Sequence, residues 1–166
     1  MSNQDSYVAV CGPQKATPAE LEWAKKVGQM MASHQITVLC TGTGTQSIGA
    51  WAAGGVRSNG GVAIGVLPQD RSQAIPSLSY SIPTGMGEAH AQLLIRSADV
   101  LLAIGSGWSS LPEAALALRL GRPVVALGGG RLQKQIKEFK DLIVQTEDPQ
   151  DAFWQVYRVL GLGKRA

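Results

Sequence analysis

The stretch Ile36-Thr37-Val38-Leu39-Cys40-Thr41-Gly42-Thr43-Gly44-Thr45-Gln46-Ser47 decides the fold class. An apolar run ends in a turn of glycines and hydroxyl side chains, and an Ala/Gly-rich helical segment follows. The same order recurs at Val100-Leu101-Leu102-Ala103-Ile104, continued by Gly105-Ser106-Gly107-Trp108-Ser109-Ser110. Each reads as strand, turn, helix. Such turns present backbone N–H groups at a helix start, where the helix dipole is positive, and this suits a phosphate. Two of them predict a crevice for a phosphorylated ligand and leave open whether that ligand is cleaved.

Outward from these turns, strands are expected at residues 7–11, 36–41, 61–67, 79–82, 100–104, 123–127 and 142–145. Helices are expected between them, at about 18–33, 46–59, 85–98, 110–121 and 132–139, with a last one after Asp148. Thr17-Pro18-Ala19-Glu20 carries a capping box with proline in the first turn. Leu21, Ala24, Val27, Met30 and Met31 follow at helical spacing. Gly49, Gly54 and Gly55 weaken the second helix and imply close packing on a sheet. In the 85–98 helix, Leu93, Leu94 and Ala98 are expected to face inward. Most strands are continuously apolar, which predicts an α/β, Rossmann-like, doubly wound and mostly parallel sheet of six or seven strands with helices on both faces. Crossovers are right-handed, and ligands bind at the carboxyl ends of the strands, at a switch point. Both glycine-rich turns lie at such ends.

The 166 residues suit a single domain with a full core. Charged residues are 16% of the chain, below the usual quarter or so, so part of the surface is expected to be covered in a homo-oligomer. A net charge of +3 is too small for nucleic-acid binding and fits an anionic small ligand. No apolar run is long enough to cross a membrane. The polar first residues do not read as a targeting segment, and a cytoplasmic location is the expectation. Cys11 and Cys40 are expected to be buried thiols. With no histidine near them they make a poor metal site.

In the first turn, Gly42 and Gly44 would let a phosphate reach the backbone, with hydroxyls from Thr41, Thr43, Thr45 and Ser47 as further donors. The alternative is an ordinary tight turn. The pattern is neither a Walker loop nor a dinucleotide fingerprint, because Ser47 stands where a third glycine is needed. In the second turn, Gly105 and Gly107 give freedom, Ser106, Ser109 and Ser110 give donors, and Trp108 offers a flat stacking surface, unless it packs on a neighbouring subunit. Glu113 reads either as a general base or as the partner of Ser110 in a capping box. His90, after the turn Pro83-Thr84-Gly85, is a candidate ligand contact, against a passive hydrogen-bonded role. Arg71 and Lys15 lie in loops that could reach a phosphate. His34 reads as surface.

These pieces resemble the lonely-guy-like superfamily of Rossmann-type proteins over roughly residues 7–128. The matching pieces are Val8-Ala9-Val10-Cys11-Gly12, Thr41 to Gly44, the run from Gly60 to Pro68, Ile95-Arg96-Ser97-Ala98-Asp99, and Gly105 to Glu113. The superfamily includes cytokinin-activating phosphoribohydrolases and molybdenum-cofactor carrier proteins. The hydrolases carry Pro-Gly-Gly-x-Gly-Thr-x-x-Glu; against it, only Gly107 and Glu113 match well here. Their catalytic arginine falls at His90 and the adjacent lysine at Ala91. A mostly neutral histidine is a weaker partner for separating charge.

The resemblance therefore implies a non-catalytic carrier of the molybdenum cofactor (molybdopterin), a phosphorylated pterin that would sit on Gly12, the two turns, Arg71, Thr84, Gly85, His90 and Glu113. It also implies a dimer or tetramer, with molybdenum enzymes as recipients of the cargo. The alternatives are a nucleoside 5′-monophosphate phosphoribohydrolase and, disfavoured by the weak charge, a DNA-binding protein of related fold.

Overall fold

The computed structural model of the chain describes residues 5–105, 110–129 and 137–164. Seven strands form one sheet: β1 (Tyr7–Cys11), β2 (Thr37–Cys40), β3 (Ala63–Leu67), β4 (Tyr80–Pro83), β5 (Val100–Ile104), β6 (Val124–Leu127) and β7 (Ile143–Thr146). Their spatial order is β4-β3-β2-β1-β5-β6-β7, and every pairing between them is parallel. The chain winds one way from β1 to β4 and then returns to the far side of β1 with β5. The switch point lies between β1 and β5, where the crevice of an open α/β sheet is expected.

The described α-helices are α1 (Pro18–Ser33), α2 (Ile48–Ser58), α3 (His90–Arg96), α4 (Leu111–Arg119) and α5 (Pro149–Val159). They divide between the two faces. Val8, Val10, Val38, Leu102 and Val125 pack with residues of α1, α2 and α5, while Ala9, Leu39, Leu101 and Val124 pack with residues of α3 and α4. Both faces are covered, so the strands read as unbroken apolar runs.

Local chemistry sets the helix ends. Thr17 Oγ1 accepts the Glu20 amide at 3.2 Å, and the Glu20 carboxylate accepts the Thr17 amide at 2.8 Å. Asp148 caps α5 by accepting the Asp151 amide at 2.7 Å. Caps of this kind contribute about 1 kcal/mol each.

The helix glycines serve a different contact from the expected one. A Cβ on Gly55 would lie 2.1 Å from the Lys25 carbonyl oxygen, and one on Gly28 would lie 2.2 Å from that of Ala52. These two glycines let α1 and α2 cross backbone to backbone; Gly49 alone lies on the sheet, against Cys40.

The helix expected over 85–98 is broken. A 3-10 turn at Gly87–Ala89 precedes α3, because Gly87 (φ 55°) turns left-handed and its amide bonds the Pro68 carbonyl at 2.9 Å. Leu94, Ile95 and Ala98 face the core, whereas Leu93 is 40% exposed. The expected helix at 132–139 lies mainly outside the described residues, and Lys137–Leu142 forms a 3-10 segment. Edge strand β4 leaves Tyr80 and Ile82 exposed.

Candidate functional site

The carboxyl ends of β2, β1 and β5 stand side by side, so the two glycine-rich turns start about 10 Å apart, two strand spacings. Of the second turn, Gly105 and Ser110 are described; Ser106, Gly107, Trp108 and Ser109 lie outside the described residues.

The first turn divides into a packed half and an open half. Gly42 (φ 78°) is buried, and a Cβ there would meet Leu67 at 2.8 Å and the Gly65 backbone at 2.9 Å. Its glycine is required by packing on β3. Gly44 (φ 75°) is exposed, and the nearest atom to a Cβ there is 3.8 Å away. Thr43 forms an antiparallel bridge with Ala74, and the Ile75 amide bonds the Gly42 carbonyl at 3.0 Å. The loop carrying Arg71 is thereby pinned to this turn, with Arg71 itself exposed. Ser47 caps α2: its hydroxyl accepts the Ala50 amide at 3.1 Å and donates to the Thr43 carbonyl at 3.2 Å. Thr45 faces a separate cleft of about 300 Å³ with Lys25, Trp51 and Ser77.

Thr41, at the root of the turn, faces the other way. Its hydroxyl lies 3.2 Å from His90 Nε2, and His90 Nδ1 lies 2.7 Å from the Gly87 carbonyl oxygen. A carbonyl only accepts, so Nδ1 carries the proton; in the neutral ring Nε2 then accepts from Thr41. His90 thus ties the start of α3 to the end of β2. The Thr84 hydroxyl donates to the Leu67 carbonyl at 2.8 Å and accepts the Met86 amide at 3.2 Å. Those bonds shape the loop that delivers His90. Gly85 (φ 63°) is exposed beside it.

His90 and Glu113 line one cleft of about 840 Å³, together with Gln14, Glu88, Pro112, Leu116 and Arg119. This volume falls in the range of small-molecule sites. Glu113 does not form the expected capping box, because Ser110 has a helical backbone and makes no side-chain cap. Instead, Glu113 Oε2 is buried without a hydrogen-bond partner among the described residues, and so is Ser110 Oγ. Burial pushes the Glu113 carboxyl above its ordinary range, opposed by its own backbone amide and by His90.

The thiols are quiet. Desolvation, with the Glu113 charge beside it, pushes the Cys11 thiol far up, against a smaller lowering effect of Ser110, and desolvation pushes Cys40 up to about 12. Both are free, and they pack on opposite faces of the sheet, which rules out a bond between them. No cluster of metal-ligating side chains is present among the described residues.

Three features escaped the sequence reading. Arg119 is the cleft's arginine among the lining residues, and its place in the last turn of α4 gave no signal. Glu20 reaches the second turn: a Cβ on Gly105 (φ 95°) would lie 2.8 Å from its carboxylate. Gly12 is a packing glycine, because a Cβ there would lie 2.3 Å from Ile48 and 2.7 Å from the Ile104 carbonyl oxygen. His34 is exposed as expected, but its ring also packs against Phe153, Trp154 and Tyr157.

A sequence profile of the SLOG cluster4 family matches residues 5–156. The chain belongs to that family. The match agrees with the lonely-guy-like resemblance, and the seven-stranded parallel sheet gives the α/β Rossmann-like fold. This SLOG cluster4 chain is 27% identical over 120 residues to an uncharacterized protein of Archaeoglobus fulgidus, covering 72% of this chain and 78% of the other. Among solved structures it is similar to the molybdenum cofactor binding protein of the phototrophic bacterium Rippkaea orientalis, with a TM-score of 0.89, 26% identity and coverage of 96% and 99% of the two chains. It is also similar to the molybdenum cofactor carrier protein of Chlamydomonas reinhardtii, with a TM-score of 0.87, 28% identity and coverage of 95% and 99%. No helix among the described residues is long and apolar enough to cross a membrane.

Proposed function

We propose that this SLOG cluster4 protein binds the molybdenum cofactor as cargo and carries it without chemical change. The observation that carries this reading is likeness over nearly the whole chain to two proteins named for that ligand, from a bacterium and from an alga. The cleft supports it. It has the volume for a pterin-sized ring system, an apolar wall at Pro112 and Leu116, and polar groups at His90, Glu113 and Arg119. The phosphate of the cargo sits on the open half of the first turn, at Gly44, with Arg71 on the loop pinned to it. Gly107, Trp108 and Ser109 complete the site from the second turn. Gly12, Gly42 and Thr84 act by shaping the backbone.

The protein works as a homo-oligomer in the cytoplasm, with neither DNA nor membrane as a partner, and hands its cargo to molybdenum enzymes. The exposed Tyr80 and Ile82 on edge strand β4 support an oligomer. The test is protection: cofactor incubated aerobically with the protein should keep its ability to reconstitute a molybdenum enzyme for longer than cofactor alone. Equal decay in both would refute the carrier reading.

A phosphoribohydrolase is the second reading, and the retained acid Glu113 in the cleft is what favours it. It lacks the charged partner that the resemblance places at His90. Release of free base from adenosine monophosphate, abolished by Glu113→Gln and raised by His90→Arg, would install it in place of the carrier.

A further inference from the structure

The first turn of α4 presents a carboxylate oxygen that the protein leaves unanswered, beside a buried serine hydroxyl next to the Cys11 thiol. Glu113 Oε2 and Ser110 Oγ are both buried, and neither has a hydrogen-bond partner among the described residues. Ser110 is only 5% exposed. The two residues are spaced so that their side chains share one helix face. A buried polar group without a partner costs about 1–3 kcal/mol, and folded proteins keep such groups rarely. Glu113 Oε2, on a residue lining an 840 Å³ cleft, is open to a ligand.

Their chemistry restricts what that ligand presents. A carboxylate only accepts hydrogen bonds, and a hydroxyl donates one and accepts others. His90, which lines the same cleft, has Nδ1–H committed to the Gly87 carbonyl and Nε2 held by the Thr41 hydroxyl. The cleft's guanidinium, on Arg119, lies in the last turn of α4. The end of the cleft at Glu113 therefore offers an acceptor. A phosphate placed there would meet the Glu113 charge, and the second turn has a further carboxylate, Glu20, against Gly105. The guest's anionic end is turned away from Glu113, and its N–H-bearing end is turned towards it.

Resting on the carrier reading, we infer that Glu113 recognises the aminopyrimidinone edge of the cargo, accepting from its ring N–H and exocyclic amino group, and so fixes which end of the ligand enters the cleft. The upward push on the Glu113 carboxyl agrees with a desolvated acceptor that gains most when a donor arrives. The apolar wall of Pro112 and Leu116 runs beside it, as a planar ring requires.

The test uses the whole 166-residue chain and two kinds of probe. Guanosine and inosine 5′-monophosphates share ribose and phosphate and differ in the exocyclic amino group. Wild-type protein should bind the guanosine form at least about tenfold more tightly, the worth of one hydrogen bond to a charged acceptor. Glu113→Ala should erase that preference, and Glu113→Gln should reduce it. For the molybdenum cofactor itself, Glu113→Ala should weaken binding by at least about tenfold, with thermal melting confirming that the variant is folded. Cofactor held equally by wild type and Glu113→Ala would overturn this inference and leave the carrier reading intact. Cofactor not held by wild type, together with a guanosine preference that depends on Glu113, would do the reverse. Equal binding of the two nucleotides by wild type would also overturn the inference.

Discussion

The Thr41 hydroxyl and His90 Nε2 are 3.2 Å apart, although 49 residues separate them in the chain. This bond closes one side of the cleft by joining the end of β2 to the start of α3. Thr41→Val removes the donor and keeps the shape. The expected result is a loss of about 1 kcal/mol in urea unfolding, the usual net worth of such a bond, with weaker retention of the cofactor. Unchanged stability and retention would show the contact to be incidental.

Glu113 makes stability depend on pH. Burial raises its folded-state pKa above the ordinary value of 4.5, so the native state holds the proton more tightly than the unfolded chain does. The native state thus loses stability as pH rises from that ordinary value through the raised one, and the loss is constant above it. Glu113→Gln has no proton to lose. It should melt higher than wild type at pH 7.5, and the difference should shrink towards pH 4. A difference that grows on acidification would contradict the assigned direction.

The crossing of α1 and α2 sets a second stability test. A methyl group on Gly55 would sit 2.1 Å from the Lys25 carbonyl oxygen, so Gly55→Ala forces the helices apart. The expected cost is about 1–3 kcal/mol, despite alanine's better helix propensity. Chemical denaturation measures it, and a neutral or stabilising result would contradict the close contact.

Gly44 and Gly42 should behave differently. Gly44 has room for a side chain but a positive φ, so Gly44→Ala costs about 1–2 kcal/mol from backbone strain alone. It should also weaken binding of inorganic phosphate if the open half of the turn is the anion site. Gly42→Ala adds overlap with Gly65 and Leu67 and should be the more destabilising of the two. Thermal melts of the pair decide the order.

Much of the fold was legible because its signals are local. Continuous apolar strands, the Thr17–Glu20 box and the Asp148 cap each stand in a few consecutive residues, and the structure has each of them in place. The break before α3 was not legible, since it depends on Gly87 bonding the distant Pro68 carbonyl. Nor was the role of Gly28 and Gly55, which is set by a helix crossing rather than by sequence periodicity. In the site, the spacing of Ser110 and Glu113 matched a capping box, yet the helical backbone of Ser110 prevents one and leaves Glu113 Oε2 open. The meeting of Thr41, His90 and Glu113 comes from strand order, which brings the ends of β2 and β5 to either side of β1.

A carrier of the molybdenum cofactor must retain it, and native mass spectrometry of the protein purified anaerobically from cells that make the cofactor reads that retention. The expected result is a stoichiometric adduct with the mass of molybdopterin and its molybdenum, released on unfolding. Protein that emerges free of pterin and molybdenum, or that carries a nucleotide instead, would contradict it.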